Sequence, residues 1–279
     1  MNLLDKAKDI ANIYKMNTNI DTVFVGGSVS RNWHDAYSDI EIFVLWKEAP
    51  TEEERKNPIV LLNGEIIDFF PYEDGEWSET YISQGVKFEI SNFLTTTINK
   101  VIDEVMLSFD TSPVKQCLLA AIHNGISLSD DAVMEMLKDK VRRYPVELGI
   151  AMVSENLYMG AKWNNREALL HRRDWLMLYQ TMAEVQKKLM HLLFGLNRQF
   201  IHHPSLKWQR QTLESMDIIP KDAADRFESI FLQAPETAVK ELDEIIKHIY
   251  ELIQQTLPQI DVSAISEKSL YLRPFNHEI

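Results

Sequence analysis

Apolar residues recur along this chain with two different periods. From Leu3 to Tyr14 they occupy positions 3, 4, 7, 10, 11 and 14, which is the spacing of an amphipathic helix that covers one side of a sheet. Short apolar runs bounded by turn residues predict strands at Val23 to Val25, Ser38 to Trp46, Gly64 to Tyr72 and Gly85 to Phe93. A short helix is predicted between Asn32 and Tyr37, and the charged stretch Lys47 to Asn57 predicts a solvated turn or short helix.

The later part of the chain has the helical period almost throughout. The pattern becomes helical from Phe93 to about His123, and Gly125 to Asp131 predicts a connection that carries an N-cap signal. Beyond it, apolar residues at 182, 185, 189, 192, 196 and 200, and again at 239, 242, 246, 249, 253 and 257, alternate steps of three and four. We therefore expect an α+β protein with a mixed-sheet domain at residues 1–128 and a helical bundle domain at residues 129–279.

Composition and charge narrow the functional class. The 279 residues are 45% hydrophobic and 25% charged, as in a soluble globular protein, and the net charge of −13 disfavours a nucleic-acid backbone and suits a cationic partner. The single cysteine, Cys117, excludes an intramolecular disulfide and any CxxC motif. Because the N-terminus lacks a signal-like segment and no stretch approaches 18 apolar residues, we expect a cytoplasmic protein that does not enter a membrane.

Candidate chemistry is concentrated between Val23 and Trp46. In a strand, Asp39 and Glu41 project from the same face about 7 Å apart. Such a pair is also common on a solvated strand face, but here the surrounding run is as apolar as a buried strand, where an unpaired charge is costly. The preceding Gly26, Gly27 and Ser28 allow close approach of a ligand, and their amides and hydroxyl suit phosphate oxygens. The stretch thus predicts Mg²⁺ bound together with a polyphosphate.

These residues carry a family resemblance. Gly27-Ser28, then Arg31, then Asp39-Ile40-Glu41 in a strand resembles the signature of the polymerase-beta-like nucleotidyltransferase superfamily. The resemblance implies that Asp39 and Glu41 bind Mg²⁺ and that Gly27 and Ser28 position the phosphates of ATP or another NTP. Arg31 is a further candidate contact to the triphosphate, and its alternative is a surface pair with Asp35.

A third carboxylate on a neighbouring strand completes the metal cluster or acts as a base in that superfamily. Two candidates are open. We favour Glu89, because Val86 to Phe93 followed by a helix is similar to the corresponding strand of kanamycin nucleotidyltransferase-like enzymes. Asp68, within Ile67-Asp68-Phe69-Phe70, is similar to the third strand of smaller superfamily members. Either acid could instead be an edge-strand residue that faces water.

The helical half contains a second, weaker similarity. Glu155 to Asn165 resembles a helical segment of the kanamycin nucleotidyltransferase family that ends in a lysine-tryptophan pair, which implies that Lys162 binds the nucleotide phosphates. In that family, the glutamate that acts as general base for the acceptor hydroxyl lies four residues before the lysine. This chain has Tyr158 at that position. Glu155 is almost one helical turn earlier, so the base is Glu155, Glu89 or Asp68, or the acceptor differs.

A further cationic stretch resembles an element of uncharacterised bacterial relatives with the same two-domain plan. It contains Arg198 and Lys207, which are candidate contacts to the triphosphate or the acceptor. Their alternative role is to complement the dipole of a helix C-terminus.

The predicted function is transfer of NMP from an NTP to a hydroxyl of a small molecule, with an aminoglycoside-like cationic acceptor as the preferred choice. A protein-modifying enzyme of the toxin or antitoxin kind, which transfers AMP to a side chain, and a catalytically silent nucleotide sensor are the alternatives. Nucleic acid is not expected as a partner. Relatives with a helical second domain often form the cleft between two subunits, so the resemblance also implies a homodimer.

Overall fold

The computed structural model describes residues 2–129 and 132–276 of the chain and divides it into two compact units. The first ends at Arg143 and the second begins at Tyr144. The first unit contains α1 Leu3–Tyr14, β1 Ile20–Val25, α2 Gly27–Ser30, β2 Ile40–Trp46, α3 Glu52–Leu61, β3 Glu65–Phe69, β4 Trp77–Ser83, β5 Val86–Leu94, α4 Thr95–Met106, α5 Pro113–Asn124, β6 Ile126–Ser127 and α6 Ala132–Val141. The predicted α+β class is confirmed.

The division between the units follows α6, whereas the sequence places the domain boundary between residues 128 and 129. Helix α6 packs against α4, α5 and β1, so its residues belong to the first unit. The N-cap signal predicted at Asp130 and Asp131 lies outside the described residues.

The strands of the first unit form one mixed sheet in the order β3-β4-β5-β2-β1-β6. Strands β2 and β5 are parallel, and the other neighbouring pairs are antiparallel. In the parallel pair, Glu41 lies opposite Glu89 and Ile42 lies opposite Ile90. Because cross-strand partners point to the same face and side chains alternate along a strand, the two glutamates share one face and the two isoleucines share the other.

The isoleucine face carries the main core of this unit. The apolar stripe of α1 packs there through Ala7, Ile10, Ala11 and Tyr14, which are all buried. The helix has the bounds that its period predicts, and Asn2 caps it by accepting a hydrogen bond from the amide of Asp5 at 2.8 Å. On the opposite face Phe24 stacks on Phe43, with their ring centroids 4.9 Å apart.

A buried polar network on the core face joins three strands to α3. The indole of Trp46 donates to Asn92 Oδ1 at 2.9 Å, and Asn92 Nδ2 donates to Glu79 Oε1 at 2.9 Å. The other oxygen of Glu79 accepts from Arg55 Nε at 2.8 Å. Burial raises the pKa of Glu79, while Arg55 and Asn92 oppose the shift. Since β2, β5, β4 and α3 each contribute one member, the network holds β5 in register with β2.

Several local predictions are corrected by the structure. Strand β4 was not predicted, because its inward-facing Glu79 interrupts the apolar alternation that identifies a strand. By contrast, the short helix that is one of the two predictions for Lys47 to Asn57 is confirmed, because Glu52 to Asn57 form the first part of α3, which begins with a capping box between Thr51 and Glu54. The predicted connection after Gly125 includes the short strand β6.

The short helix predicted between Asn32 and Tyr37 is wrong. The helical turn lies earlier, in α2, and Asn32 adopts a left-handed conformation that ends it. Asp35 then accepts hydrogen bonds from the amide of Tyr37 at 2.9 Å and from the Ser38 hydroxyl at 3.1 Å. These local bonds compete with helix formation.

The second unit is helical in its described residues. It contains α7 Val146–Asn156, a 3₁₀ turn at Trp163–Asn165, α8 Arg166–Arg172, α9 Trp175–Asn197, α10 Gln209–Glu214, α11 Ala223–Ser229, α12 Pro235–Thr256 and α13 Ser263–Leu270. The two long helices that the period predicts are observed as α9 and α12, although the first ends at Asn197 and leaves Phe200 outside it. Helices α7 and α9 approach closely at Gly149 and Gly195, where an added Cβ on Gly149 would lie 2.8 Å from the Gly195 carbonyl oxygen.

Across the residues that the structure describes, no helix is both long enough and apolar enough to span a membrane.

Candidate active site

Three of the predicted carboxylates lie together where β2 begins. Asp39 directly precedes the strand, and Glu41 is its second residue. Glu89 lies opposite Glu41 on the adjacent parallel strand, so their Cα atoms are about 5 Å apart. Asp39 is two residues before Glu41 and shares its face. The sheet therefore adds the sequence-distant Glu89 to the neighbouring Asp39 and Glu41, so that three acids form one carboxylate patch on one face.

The glycine turn packs directly against this patch. Gly27 has a φ of +59°, and a Cβ placed on it would lie 2.4 Å from Glu41 Oε1. The Gly26 amide also donates to the carbonyl of Glu41 at 3.0 Å, which ties the turn to β2. Ser28 is buried within α2. The amides of Gly27 and Ser28 belong to the first turn of α2, where amides have no carbonyl partner within the helix. The turn thus brings polar backbone groups next to the acids.

Arg31 contacts the glycine turn through its guanidinium group. Its guanidinium donates to the carbonyls of Gly27 at 3.3 Å and Ala120 at 3.4 Å, and it lies over the ring of Trp33. Burial lowers the pKa of Arg31 to about 10, while the nearby Glu41 carboxylate opposes the shift, so Arg31 remains charged at neutral pH. Asp35, the alternative partner, is instead engaged with Tyr37 and Ser38. Arg31 therefore places one positive charge near Glu41.

Lys87 is the residue of this patch that the sequence prediction missed. It precedes Glu89 by two positions on β5, so both side chains project from the same face. Its ammonium forms ion pairs with Glu89 Oε1 and, at 3.4 Å, with Asp39 Oδ2. The hydrogen bond with Glu89 raises the pKa of Lys87 above its ordinary value. The period of two around Glu89 was the signal that would have identified it.

The carboxylate oxygens of the patch are suitable ligands for a hard cation. Mg²⁺ binds carboxylate oxygens, which Asp39, Glu41 and Glu89 supply, and the glycine at position 27 leaves the room that the Glu41 carboxylate occupies. Among the described residues, no three His, Cys, Asp or Glu side chains already converge as a metal-binding group. Asp39 and Glu89 are instead joined through the ammonium of Lys87.

Asp68 lies in the same row across the sheet but farther away. It pairs with Thr80 on β4, which in turn pairs with Glu89 on β5. Two strand spacings therefore separate Asp68 from Glu89, which is about 10 Å between Cα atoms. Asp68 is exposed on β3, at the edge of the sheet. Of the two candidates, Glu89 is the one adjacent to Glu41.

The remaining predicted residues belong to the second unit. Glu155 is exposed in the last turn of α7, which ends at Asn156. The predicted helix from Glu155 to Asn165 is therefore wrong, because residues 157–162 leave the helical path, and Glu155 and Tyr158 are not related by a helical turn. Lys162 ion-pairs with Glu184 of α9 at 3.1 Å.

The second cationic stretch follows the end of α9. Arg198 has left-handed backbone geometry and is the C-cap of this helix. This position agrees with its alternative role, in which its charge complements the dipole of the helix C-terminus. Lys207 is exposed, and its carbonyl lies 3.4 Å from His202 Nε2. The predicted phosphate contacts of Lys162 and Lys207 stay predictions.

Comparisons with known proteins give one family match over part of the chain and structural matches at low sequence identity. A family model described as a domain of unknown function (DUF4037) matches residues 112–209. No curated protein matches the chain. A solved nucleotidyltransferase-like protein from Exiguobacterium sibiricum 255-15 is similar over 96% of this chain and 78% of its own, at 12% identity and a TM-score of 0.41. The Cid1 poly(U) polymerase is similar over 43% of this chain and 38% of its own, at 11% identity and a TM-score of 0.27.

The Gly27 position offers a direct test of the patch. We expect Gly27→Ala to lower the free energy of unfolding by about 1–2 kcal/mol, because alanine is strained at positive φ. Its Cβ would also displace the Glu41 carboxylate, so the affinity for Mn²⁺, used as a probe for Mg²⁺, should fall about tenfold or more. Urea denaturation and isothermal titration calorimetry measure the two effects.

Gly85→Ala is the matched control. Gly85 has a φ of +72°, and an added Cβ would meet nothing within 4 Å. This variant should show a similar loss of stability with unchanged Mn²⁺ affinity. Equal Mn²⁺ affinity in both variants would show that Gly27 does not shape a metal site.

Proposed function

We propose that this chain is a nucleotidyltransferase. Within that class, we propose that it moves NMP from ATP or another NTP to a hydroxyl of a small acceptor, in a reaction that requires Mg²⁺. The observation that carries the proposal is the pairing of Glu41 with Glu89 across parallel strands, with Asp39 on the same face and the Gly27 turn against Glu41.

The residues of the patch have distinct proposed roles. Asp39, Glu41 and Glu89 would hold Mg²⁺, which when bound neutralises charge on the phosphate oxygens as the bond to the leaving pyrophosphate breaks. Gly27 and Ser28 would position the β- and γ-phosphates through backbone amides and the serine hydroxyl. Glu89 is the proposed base for the acceptor hydroxyl, which attacks the α-phosphorus in line with the departing oxygen. Much of the rate then comes from holding the two reactants in this orientation.

The net negative charge of the chain is the basis for proposing a cationic acceptor. With a net charge of −13, the chain attracts cations, and its exposed acids can pair with amino groups of an aminoglycoside-like molecule. The acceptor's hydroxyl supplies the nucleophile, and its amino groups supply the attraction.

Labelled nucleotides test the proposal. The protein is incubated with Mg²⁺ and each α-³²P-labelled NTP, with and without a panel of aminoglycosides, and the products are separated. We expect label on a small molecule together with release of pyrophosphate. Asp39→Asn is the control, and it should abolish both signals.

Other outcomes have defined meanings. Label on protein side chains would replace the small acceptor by a protein acceptor, as in an AMP-transferring toxin or antitoxin. Nucleotide binding without pyrophosphate release under all conditions would contradict an enzyme and favour a sensor.

A further inference from the structure

The position of Lys87 within the carboxylate patch carries a further inference, which rests on the proposed function of that patch. The side chain is 44% exposed, and it is held on both sides, by Glu89 on its own strand and by Asp39 at the start of β2. Its ammonium thus lies at the place where the two acids come nearest to a shared cation. These are two of the three carboxylates assigned above to Mg²⁺.

We propose that Lys87 is a resident counter-cation of this patch, and that a divalent ion must displace its ammonium to bind Asp39 and Glu89. Three carboxylates on neighbouring strand positions repel one another, and a nearby ammonium offsets this repulsion while no metal is bound. The ammonium already occupies Asp39 Oδ2 and Glu89 Oε1, so a divalent ion held by these two carboxylates would compete with it. Lys87 thereby sets the metal concentration at which the site fills.

The exposure of the ion-paired side chains limits how strongly the Lys87 ammonium competes with a divalent ion. Lys87 and Glu89 are both more than two-fifths exposed, and Asp39 is 25% exposed, so water and salt screen both ion pairs. Exposed pairs of this kind are each of modest strength, so removal of the ammonium should tighten binding of a divalent ion about three- to tenfold. The competition should weaken as the ionic strength rises.

Divalent-ion binding without nucleotide tests the inference directly. We compare the full chain with Lys87→Met and Lys87→Arg, titrating Mn²⁺ by calorimetry and by the loss of its free electron paramagnetic resonance signal. Lys87→Met should bind Mn²⁺ about three- to tenfold more tightly, whereas Lys87→Arg retains a cation and should stay near the native affinity. In EDTA, Lys87→Met should melt at a lower temperature than the native protein, and Mn²⁺ should restore most of the difference.

Lys115 provides a matched control. Its ammonium bridges Asp110 at 2.5 Å and Glu104 at 2.8 Å in the same unit, and neither acid belongs to the patch. Lys115→Met changes the net charge by the same amount, so it should lower the melting temperature in EDTA without rescue by Mn²⁺ and without a change in Mn²⁺ affinity. A similar gain in Mn²⁺ affinity in both methionine variants would show a general charge effect and overturn the role of Lys87.

The outcomes separate this inference from the proposed function. If the native protein binds Mn²⁺ in a manner that Asp39→Asn abolishes, and folded Lys87→Met binds with native affinity, then Lys87 does not compete and only the inference fails. If neither the native protein nor Lys87→Met binds Mn²⁺, the metal site itself fails, and the proposed function fails with it.

Discussion

Replacement of Glu41 by glutamine is expected to lower the rate of NMP transfer by about 10³-fold, or about 4 kcal/mol of transition-state stabilisation. Glutamine keeps the size of the side chain but removes the negative charge that a divalent ion requires. Glu41 is the central acid of the patch, since Asp39 lies two residues before it and Glu89 lies opposite it. Single-turnover transfer at saturating NTP and Mg²⁺ measures the loss.

Two further variants decide the identity of the third carboxylate. Glu89→Gln should reduce transfer by a similar factor, because Glu89 adjoins Glu41. Asp68→Asn is the matched control on the same face, and it should retain native activity, because β4 lies between Asp68 and Glu89. Loss of transfer in Asp68→Asn, with Glu89→Gln fully active, would reverse the assignment. Full activity of Glu41→Gln would exclude the patch as the active site.

Removal of one partner of the Arg55 and Glu79 ion pair is expected to destabilise the first unit by about 3–5 kcal/mol. Both side chains are almost fully buried, with exposed fractions of 3% and 0%. Arg55→Met would leave the Glu79 carboxylate without its cation in the interior, and it would also remove the contact between Arg55 and the ring of Phe69. Urea denaturation of the variant and the native protein measures the change in the free energy of unfolding.

The double variant Arg55→Met with Glu79→Leu should recover most of that loss, because no uncompensated charge then remains in the core. Arg142→Met is the control for an exposed pair, since Arg142 and Asp139 are each more than three-fifths exposed, and it should cost about 1 kcal/mol or less. An Arg55→Met variant as stable as the Arg142→Met variant would show that the buried pair does not hold the sheet together.

The elements with a regular period could be predicted from the sequence, and those governed by a single polar residue could not. Helix α1 has its predicted bounds, since its apolar stripe and its Asn2 cap are both local features. Strand β4 was missed because its Glu79 is buried only through Arg55 and Asn92, which come from other elements. The misplaced helix after Ser30 has a different cause, since the left-handed conformation of Asn32 and the hydrogen bonds of Asp35 to Tyr37 and Ser38 are local and outweigh the helical preference.

The sequence by itself determined the α+β class, the presence of acids on β2 and the glycine turn before them, because each depends on residues within a few positions of one another. Only the tertiary structure decided which acid joins Asp39 and Glu41. The parallel pairing of β2 with β5 brings Glu89 and Lys87 to them, and the order of the strands keeps Asp68 on β3, three strands away from β2. A period of two shows which face a side chain occupies, whereas the neighbour across a sheet depends on chain topology, which no local pattern encodes.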